Sequence, residues 1–213
     1  MIRGYPNLVI FETLMKKHVL IISFLFASMF GFAQPNPSGF SLNQNRTGFM
    51  FGLATQEIGP LGVNEQDQYR GILLKGQYNW VLTNWQKGGI EILLQPQLNF
   101  SQVQTNNQST DIENGLEFGV NVGLLARKNL FENKSAIYAL ISAGPHFITK
   151  SIETQAKGFL FSDNFAIGFL QNISSKTYLD FRFGYRHMSN ASLKQPNRGI
   201  DNWVVSVGIN FGL

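Results

Sequence analysis

Residues 115–124 read Gly-Leu-Glu-Phe-Gly-Val-Asn-Val-Gly-Leu, an alternation of apolar side chains with glycine and polar residues. Similar alternation recurs over residues 90–101 and 203–211. Successive side chains of a β-strand point to opposite faces, so each stretch predicts a strand with one continuously apolar face. A soluble β-sandwich would carry more Lys and Glu on its polar face. The pattern therefore favours a transmembrane β-barrel, with apolar side chains facing lipid and small or polar ones filling the lumen.

Turn-forming residues divide the chain into eight such segments. We predict strands over residues 47–57, 68–82, 89–103, 112–126, 135–150, 157–172, 175–189 and 200–213. Closure into a barrel is required, because an open edge would leave backbone groups unpaired in lipid. Eight strands enclose a lumen that side chains can fill, so a wide channel is not expected. The predicted fold class is an all-β, eight-stranded antiparallel transmembrane β-barrel, formed as a single domain by residues 34–213.

The composition of the chain fits this class. Of the 213 residues, 44% are hydrophobic and only 14% are charged, against about 25% charged in an ordinary soluble domain. The 19 phenylalanines argue against a disordered chain. The absence of cysteine excludes a disulfide framework, a thiolate zinc site, a cysteine nucleophile and a lipoprotein anchor.

The first 33 residues have the features of a secretory signal peptide. A basic segment over residues 15–18 precedes a largely apolar stretch over 19–33, and the small-x-Ala end predicts cleavage after Ala33. The stretch is shorter than the roughly 18–20 residues that a membrane-spanning helix needs. Residues 1–14 precede a second methionine and are interpreted as a mis-started extension. Removal of residues 1–33 leaves 14 basic against 12 acidic residues, a net charge of +2, so nucleic acid is not a predicted partner.

Two histidines follow the predicted signal peptide. His146 lies near a strand end with no site-forming neighbour, so we expect it to be a girdle or lumen residue. His187 lies in a strand whose outward face, counted by twos, is apolar up to Tyr185 and then carries His187 and Ser189. Polar side chains on a lipid-facing strand are unfavourable unless a partner or a function compensates for them. His187 and Ser189 are therefore candidate functional residues.

A carboxylate on the following strand completes the candidate site. Asp201 has the same parity as the apolar residues of its strand, so it is expected to point outward as well. The connection over residues 190–200 brings that strand beside the end of the preceding one. A serine nucleophile, a histidine base and an orienting carboxylate would thus converge on one lipid-facing spot. The spacing of His187 and Ser189 also occurs by chance, and the alternative is a polar strand end at the aromatic girdle.

The topology predicts where this spot lies in a membrane. Bacterial barrels normally have both termini in the periplasm, so the last connection of an eight-stranded barrel is extracellular. The candidate site would then face the outer leaflet, which in an outer membrane is made of lipopolysaccharide. A serine hydrolase at this place would meet acyl esters without extracting the lipid.

The run from His187 to Asp201 resembles the carboxy-terminal signature of the lipid A 3-O-deacylase family of outer-membrane barrels, also called acyloxyacyl hydrolases. The similarity covers His-x-Ser-Asn-Ala, then Lys-Gln-Pro-Asn-x-Gly-Ile, and ends at an acidic residue. It implies that His187 is the base, Ser189 the nucleophile and the residue at position 201 the group that orients the histidine. The family carries Glu at that position, whereas this chain has the shorter Asp201.

This resemblance implies an outer-membrane serine esterase that hydrolyses an ester-linked acyl chain of lipid A, with lipopolysaccharide as substrate. It implies no cofactor, and no set of His or carboxylate residues in the sequence suggests a metal site. The competing interpretation is a non-catalytic eight-stranded barrel with a structural or adhesion role in the envelope. The sequence leaves open which acyl chain is removed and whether the barrel forms a homodimer.

Four residues of the last connection are candidates for contacts with the substrate. An oxyanion donor is required because negative charge develops in an apolar site, and Asn190 and Asn197 have suitable side chains. Parity points Asn190 inward, so Asn197 is preferred. Lys194 and Arg198 are candidates for contacts with lipid A phosphates, with simple solvation of the connection as the equally weighted alternative.

Overall fold

The computed structural model describes residues 42–56, 68–104, 112–131 and 133–213. The predicted signal peptide, residues 1–33, lies outside the described residues. The strands of the described part are β1 (Arg46–Thr55), β2 (Gln68–Trp85), β3 (Gly88–Gln104), β4 (Ile112–Leu130), β5 (Ser135–Ile148), β6 (Gly158–Ser174), β7 (Thr177–Ser189) and β8 (Ile200–Gly212). All eight predicted segments are confirmed as strands. Within the described ranges, no helix is long and apolar enough to cross a membrane.

The strand boundaries differ most from prediction at the ends of β2 and β4. These strands extend to Trp85 and Leu130, beyond the predicted ends at residues 82 and 126. In β2 the pairing register shifts between Val81 and Thr83. Such a bulge interrupts the period of two, so the alternation stops indicating a strand before the strand ends.

The strands form a closed antiparallel barrel in sequence order. The pairing of β1 with β8 closes the ring and places Arg46 opposite Gly212. The beginning of β1 and the end of β8 therefore lie together at one end, the terminal end of the barrel. The connection between β5 and β6 (residues 149–157) and the connection between β7 and β8 (residues 190–199) lie at the opposite end, the loop end.

The side chains are distributed inside-out relative to a soluble protein. In β4, Glu117 and Asn121 are fully buried in the lumen, whereas Phe118 and Val122 point outward and are 51% and 56% exposed. Every strand carries large apolar side chains on its outer face. A soluble domain does not expose so continuous an apolar surface, whereas lipid solvates it. The molecule is a transmembrane β-barrel, as the alternation predicts.

The carboxylates buried in the lumen are paired with arginines. The pairs, with their N–O distances, are Glu91 with Arg46 (2.6 Å) and Arg127 (2.8 Å), Glu117 with Arg186 (2.8 Å), and Asp180 with Arg182 (3.2 Å). An ionised group left buried without a partner would be strongly destabilising. The pairing therefore permits a polar interior that is filled by side chains.

His146 belongs to this interior. Its Nδ1 lies 2.8 Å from Oε1 of Glu117, and its Nε2 lies 3.1 Å from Oδ1 of Asn121. Of the two positions that the sequence allowed, girdle and lumen, the structure shows the lumen. Because both ring nitrogens have buried partners, His146 is part of the polar packing inside the barrel.

Candidate active site

The end of β7 presents His187 and Ser189 on the outer surface of the barrel. Burial alternates strictly along this strand. Arg186 and Met188 are buried in the lumen, whereas His187 and Ser189 face outward. Ser189 is the last residue of β7. The outward parity predicted for both residues therefore agrees with the structure, and both lie at the loop end.

His187 and Asp201 form a direct hydrogen bond. The two residues are opposite each other in the register of β7 and β8, and His187 Nδ1 lies 2.8 Å from Asp201 Oδ1. The aspartate thus reaches the ring from the position directly opposite it. Tyr185 lies two residues before His187 on the same outer face of β7. The bond to the imidazole ring therefore joins β7 and β8 on the outside of the barrel.

Ser189 shares the outward face with His187 but is not bonded to it. Within the described part of the chain, no hydrogen bond joins the Ser189 hydroxyl to the His187 ring. Nucleophile–base hydrogen bonds are often long in structures without substrate and shorten when substrate binds. The arrangement therefore places a serine hydroxyl on the same face as a histidine that is bonded to a carboxylate, and such a set of groups can perform acyl transfer.

Gly199 packs against the free edge of the His187 ring. A Cβ atom at this position would lie 2.5 Å from His187 Cε1 and 3.2 Å from Nε2, and the glycine has φ +88°. Glycine adopts this left-handed conformation readily, whereas other residues are strained there. The backbone at Gly199 thus limits how the ring can rotate and helps to define where Nε2 points.

The two candidate oxyanion donors are used differently. Asn190 is buried, and its side-chain Nδ2 donates to Lys194 O at 2.7 Å, which closes the turn after β7. Asn197 accepts a 2.7 Å bond from Asn190 N through its Oδ1, while its Nδ2 makes only a 3.4 Å contact with Ser192 Oγ. The Asn197 amide group is therefore held in place with its donor end weakly engaged, which makes it the more available donor of the two.

The two candidate phosphate contacts, Lys194 and Arg198, are both exposed on the β7–β8 connection. This connection also carries Asn197, so positive charge lies next to the candidate site. Among the described residues, no group of three or more His, Asp or Glu side chains is placed to hold a metal ion.

Sequence reasoning missed one carboxylate at this site. Asp163 on β6 lies directly opposite His187 in the β6–β7 register, on the side away from Asp201, and its side chain is exposed. Its position between the outward-facing Phe161 and Phe165 was a signal that the sequence contained, because a carboxylate interrupts an otherwise apolar lipid-facing row. The His187 ring is therefore flanked by carboxylates on both neighbouring strands.

Comparisons with known proteins agree with this fold. The model of the family described as lipid A 3-O-deacylase (PagL) matches residues 64–210, a range that includes the whole run from His187 to Asp201. No match is found among curated protein sequences.

Solved barrels are similar to this chain at low identity. The crystal structure of the outer membrane enzyme PagL gives a TM-score of 0.50 at 13% identity and covers 79% of this chain and 99% of that chain. Neisserial surface protein A gives 0.43 at 9% identity, covering 79% and 96%. Ail of Yersinia pestis gives 0.41 at 16% identity, covering 80% and 100%. The PagL structure shares the barrel fold, and because the family match spans more than half of the sequence, this chain belongs to the lipid A 3-O-deacylase (PagL) family.

Proposed function

We propose that the protein is an outer-membrane serine esterase that hydrolyses an ester-linked acyl chain of lipid A. The observation that carries this proposal is the 2.8 Å hydrogen bond between His187 and Asp201 beside Ser189, on a surface that faces lipid. A soluble esterase must draw its substrate out of a membrane. A site on the outside of a barrel meets the acyl chain where it lies.

Asp201 prepares His187 to act as the base. Its carboxylate accepts the Nδ1 hydrogen of the ring, so the neutral tautomer carries its lone pair on Nε2. When Nε2 takes a proton, the imidazolium is stabilised by Asp201 on one neighbouring strand and by Asp163 on the other.

Hydrolysis then proceeds in two acyl-transfer steps. Nε2 of His187 removes the Ser189 hydroxyl proton as the oxygen attacks the ester carbonyl, and the same proton is passed to the departing alcohol oxygen. The resulting acyl-serine ester is attacked by water, which His187 deprotonates in turn. The fatty acid is released and the Ser189 hydroxyl is restored.

Asn197 supplies the oxyanion donor in this proposal. The tetrahedral intermediates of both steps carry a negative oxygen, and a donor already in position lowers its energy more than a mobile one does. The Asn197 side-chain amide is held by the hydrogen bond that its Oδ1 accepts from Asn190 N. Because the amide group is planar, this bond also fixes the direction of its Nδ2 donor. Lys194 and Arg198 on this connection bind the phosphates of the lipid A head group.

The location follows from the topology of the barrel. Both ends of the barrel sequence lie at the terminal end, and bacterial barrels normally keep that end in the periplasm. The loop end, with Ser189, then faces the outer leaflet. Residues 1–33 are the signal peptide that directs the chain to export toward the outer membrane, and cleavage follows Ala33.

The test is the mass spectrum of lipid A from cells that express the protein, compared with cells that express Ser189→Ala. Ser175→Ala is the matched control, because Ser175 is an exposed serine in the turn at the terminal end. The parent and Ser175→Ala are expected to remove one ester-linked acyl chain, and Ser189→Ala none. An unchanged spectrum with the parent on several types of lipid A would instead favour a non-catalytic envelope or adhesion barrel.

A further inference from the structure

The connection between β5 and β6 folds back over the loop end of the barrel. Ile152 and Ala156 are almost completely buried, and Gln155 is fully buried. A turn is closed by reciprocal backbone bonds between Ile152 and Gln155, with N–O distances of 2.9 and 3.2 Å. This connection is therefore a packed part of the structure rather than a solvated loop.

Backbone hydrogen bonds join the β5–β6 connection to the β7–β8 connection. The backbone N–H of Arg198 donates to Thr154 O at 2.8 Å, and that of Ala156 donates to Pro196 O at 2.9 Å. The two connections thus pair as a short antiparallel ladder. A shift in one of them is transmitted to the other, which borders the candidate active site.

One side chain extends this ladder toward the site. The buried Thr154 hydroxyl donates a 3.2 Å hydrogen bond to the Gly199 carbonyl. Gly199 is the residue whose backbone lies against Cε1 and Nε2 of His187, and Asp201 follows two residues later. The hydroxyl therefore fixes the peptide that leads from the ring contact to the carboxylate.

We propose that Thr154 is a positioning residue of the active site, whose hydroxyl holds the Gly199 carbonyl and thereby sets the orientation of the His187 ring. This inference rests on the proposed function, in which Nε2 must face the Ser189 hydroxyl. Thr154 acts through Gly199 and touches neither the substrate nor the reacting atoms. Its contribution should therefore appear in kcat rather than in KM.

The test compares three variants of the purified barrel in detergent with lipid A as substrate. Thr154→Val removes the hydroxyl at nearly constant shape, and Thr154→Ser retains it. Thr149→Val is the matched control, because Thr149 belongs to the same connection but bonds the β4 backbone, donating to Leu116 O at 3.2 Å. A misplacement of about 1 Å lowers rates about hundredfold. Because the backbone ladder survives in Thr154→Val, we expect kcat to fall about tenfold and KM to stay within about twofold.

A second measurement observes the ring itself. The described residues contain two histidines, His146 and His187, so the Cε1–H signals in an NMR spectrum are assigned with a His187→Gln variant. Thr154→Val is expected to shift or broaden the His187 signal, whereas Thr154→Ser and Thr149→Val leave it unchanged. Either a parental kcat in Thr154→Val, or an equal loss in Thr149→Val, would overturn the proposal.

The two readouts separate this inference from the proposed function. If the parent hydrolyses no lipid A, the proposed function is wrong, and the positioning role is then judged by the NMR signal alone. An unchanged His187 signal in Thr154→Val would overturn the positioning role in that case, and a changed signal would support it.

Discussion

Replacement of Gly199 by alanine would push a methyl group into the edge of the His187 ring. The new Cβ would lie 2.5 Å from His187 Cε1, whereas carbon atoms in contact are separated by about 3.5–4.0 Å. The ring must therefore retreat by about 1 Å, away from the position that the Asp201 bond defines. A displacement of this size costs about hundredfold in rate.

Alanine at position 199 would also be strained by the backbone. With φ +88°, the cost of placing a Cβ in the left-handed region is about 1–2 kcal/mol. Gly158→Ala is the matched control, because Gly158 has φ +115° and no atom lies within 4 Å of its ideal Cβ. Both variants share the strain, and only Gly199→Ala displaces the ring.

The assay is the release of fatty acid from lipid A by purified protein in detergent, with gel mobility before and after boiling to confirm that the barrel is folded. We expect kcat to fall about hundredfold in Gly199→Ala and to stay within about threefold of the parent in Gly158→Ala. If both variants keep the parental kcat, the contact between Gly199 and the ring has no role in catalysis, and the reasoning is refuted.

Three further predictions concern charges. Asp201→Asn should lower kcat by about 10⁴, because His187 loses the carboxylate that selects its tautomer. Asp201→Glu should lower kcat about tenfold, because one more methylene overreaches a bond already at 2.8 Å. A parental kcat in Asp201→Asn would mean that another acceptor orients the ring. Glu117→Gln should lower the free energy of unfolding by about 3–5 kcal/mol, measured by urea titration of the folded gel band, and an unchanged midpoint would refute the role of the lumen ion pairs. The double variant Lys194→Gln with Arg198→Gln should raise KM about tenfold on phosphorylated lipid A and leave it unchanged on dephosphorylated lipid A, whereas equal KM values on both would favour simple solvation.

The barrel could be predicted because the residues of its outer face are apolar and recur at every second position of the sequence. The stretch over residues 115–124 alternates without a break, and the structure places its apolar side chains outward and its polar ones in the lumen. The prediction stopped short in β2, where the bulge at Val81 and Thr83 interrupts the period. It also stopped short at the end of β4, which projects to Leu130 beyond the alternating stretch.

The part of the candidate site that could be predicted is the part that depends on which face of a strand each residue occupies. His187, Ser189 and Asp201 share an outward face because each occupies a fixed place in an alternating strand, and the β7–β8 register then brings the histidine and the aspartate together. Asp163 requires the β6–β7 register as well, which parity alone does not supply.

The contacts of the connections could not be predicted. The hydrogen bond from Thr154 to Gly199 joins residues 45 positions apart, in segments without any periodic pattern. The left-handed conformation of Gly199 and its contact with the ring depend on how those two segments pack. Such contacts arise only in the folded chain, because no local rule of sequence encodes them.

The central claim is that Ser189, activated by His187, attacks an acyl ester, and covalent labelling tests it most directly. The folded barrel is treated with an organophosphonate ester that carries a long alkyl chain, then digested, and the modified peptide is identified by mass spectrometry. We predict one modification, on Ser189, which is lost in His187→Gln. Modification of a different serine, or an unmodified Ser189 in protein that still hydrolyses lipid A, would contradict the claim.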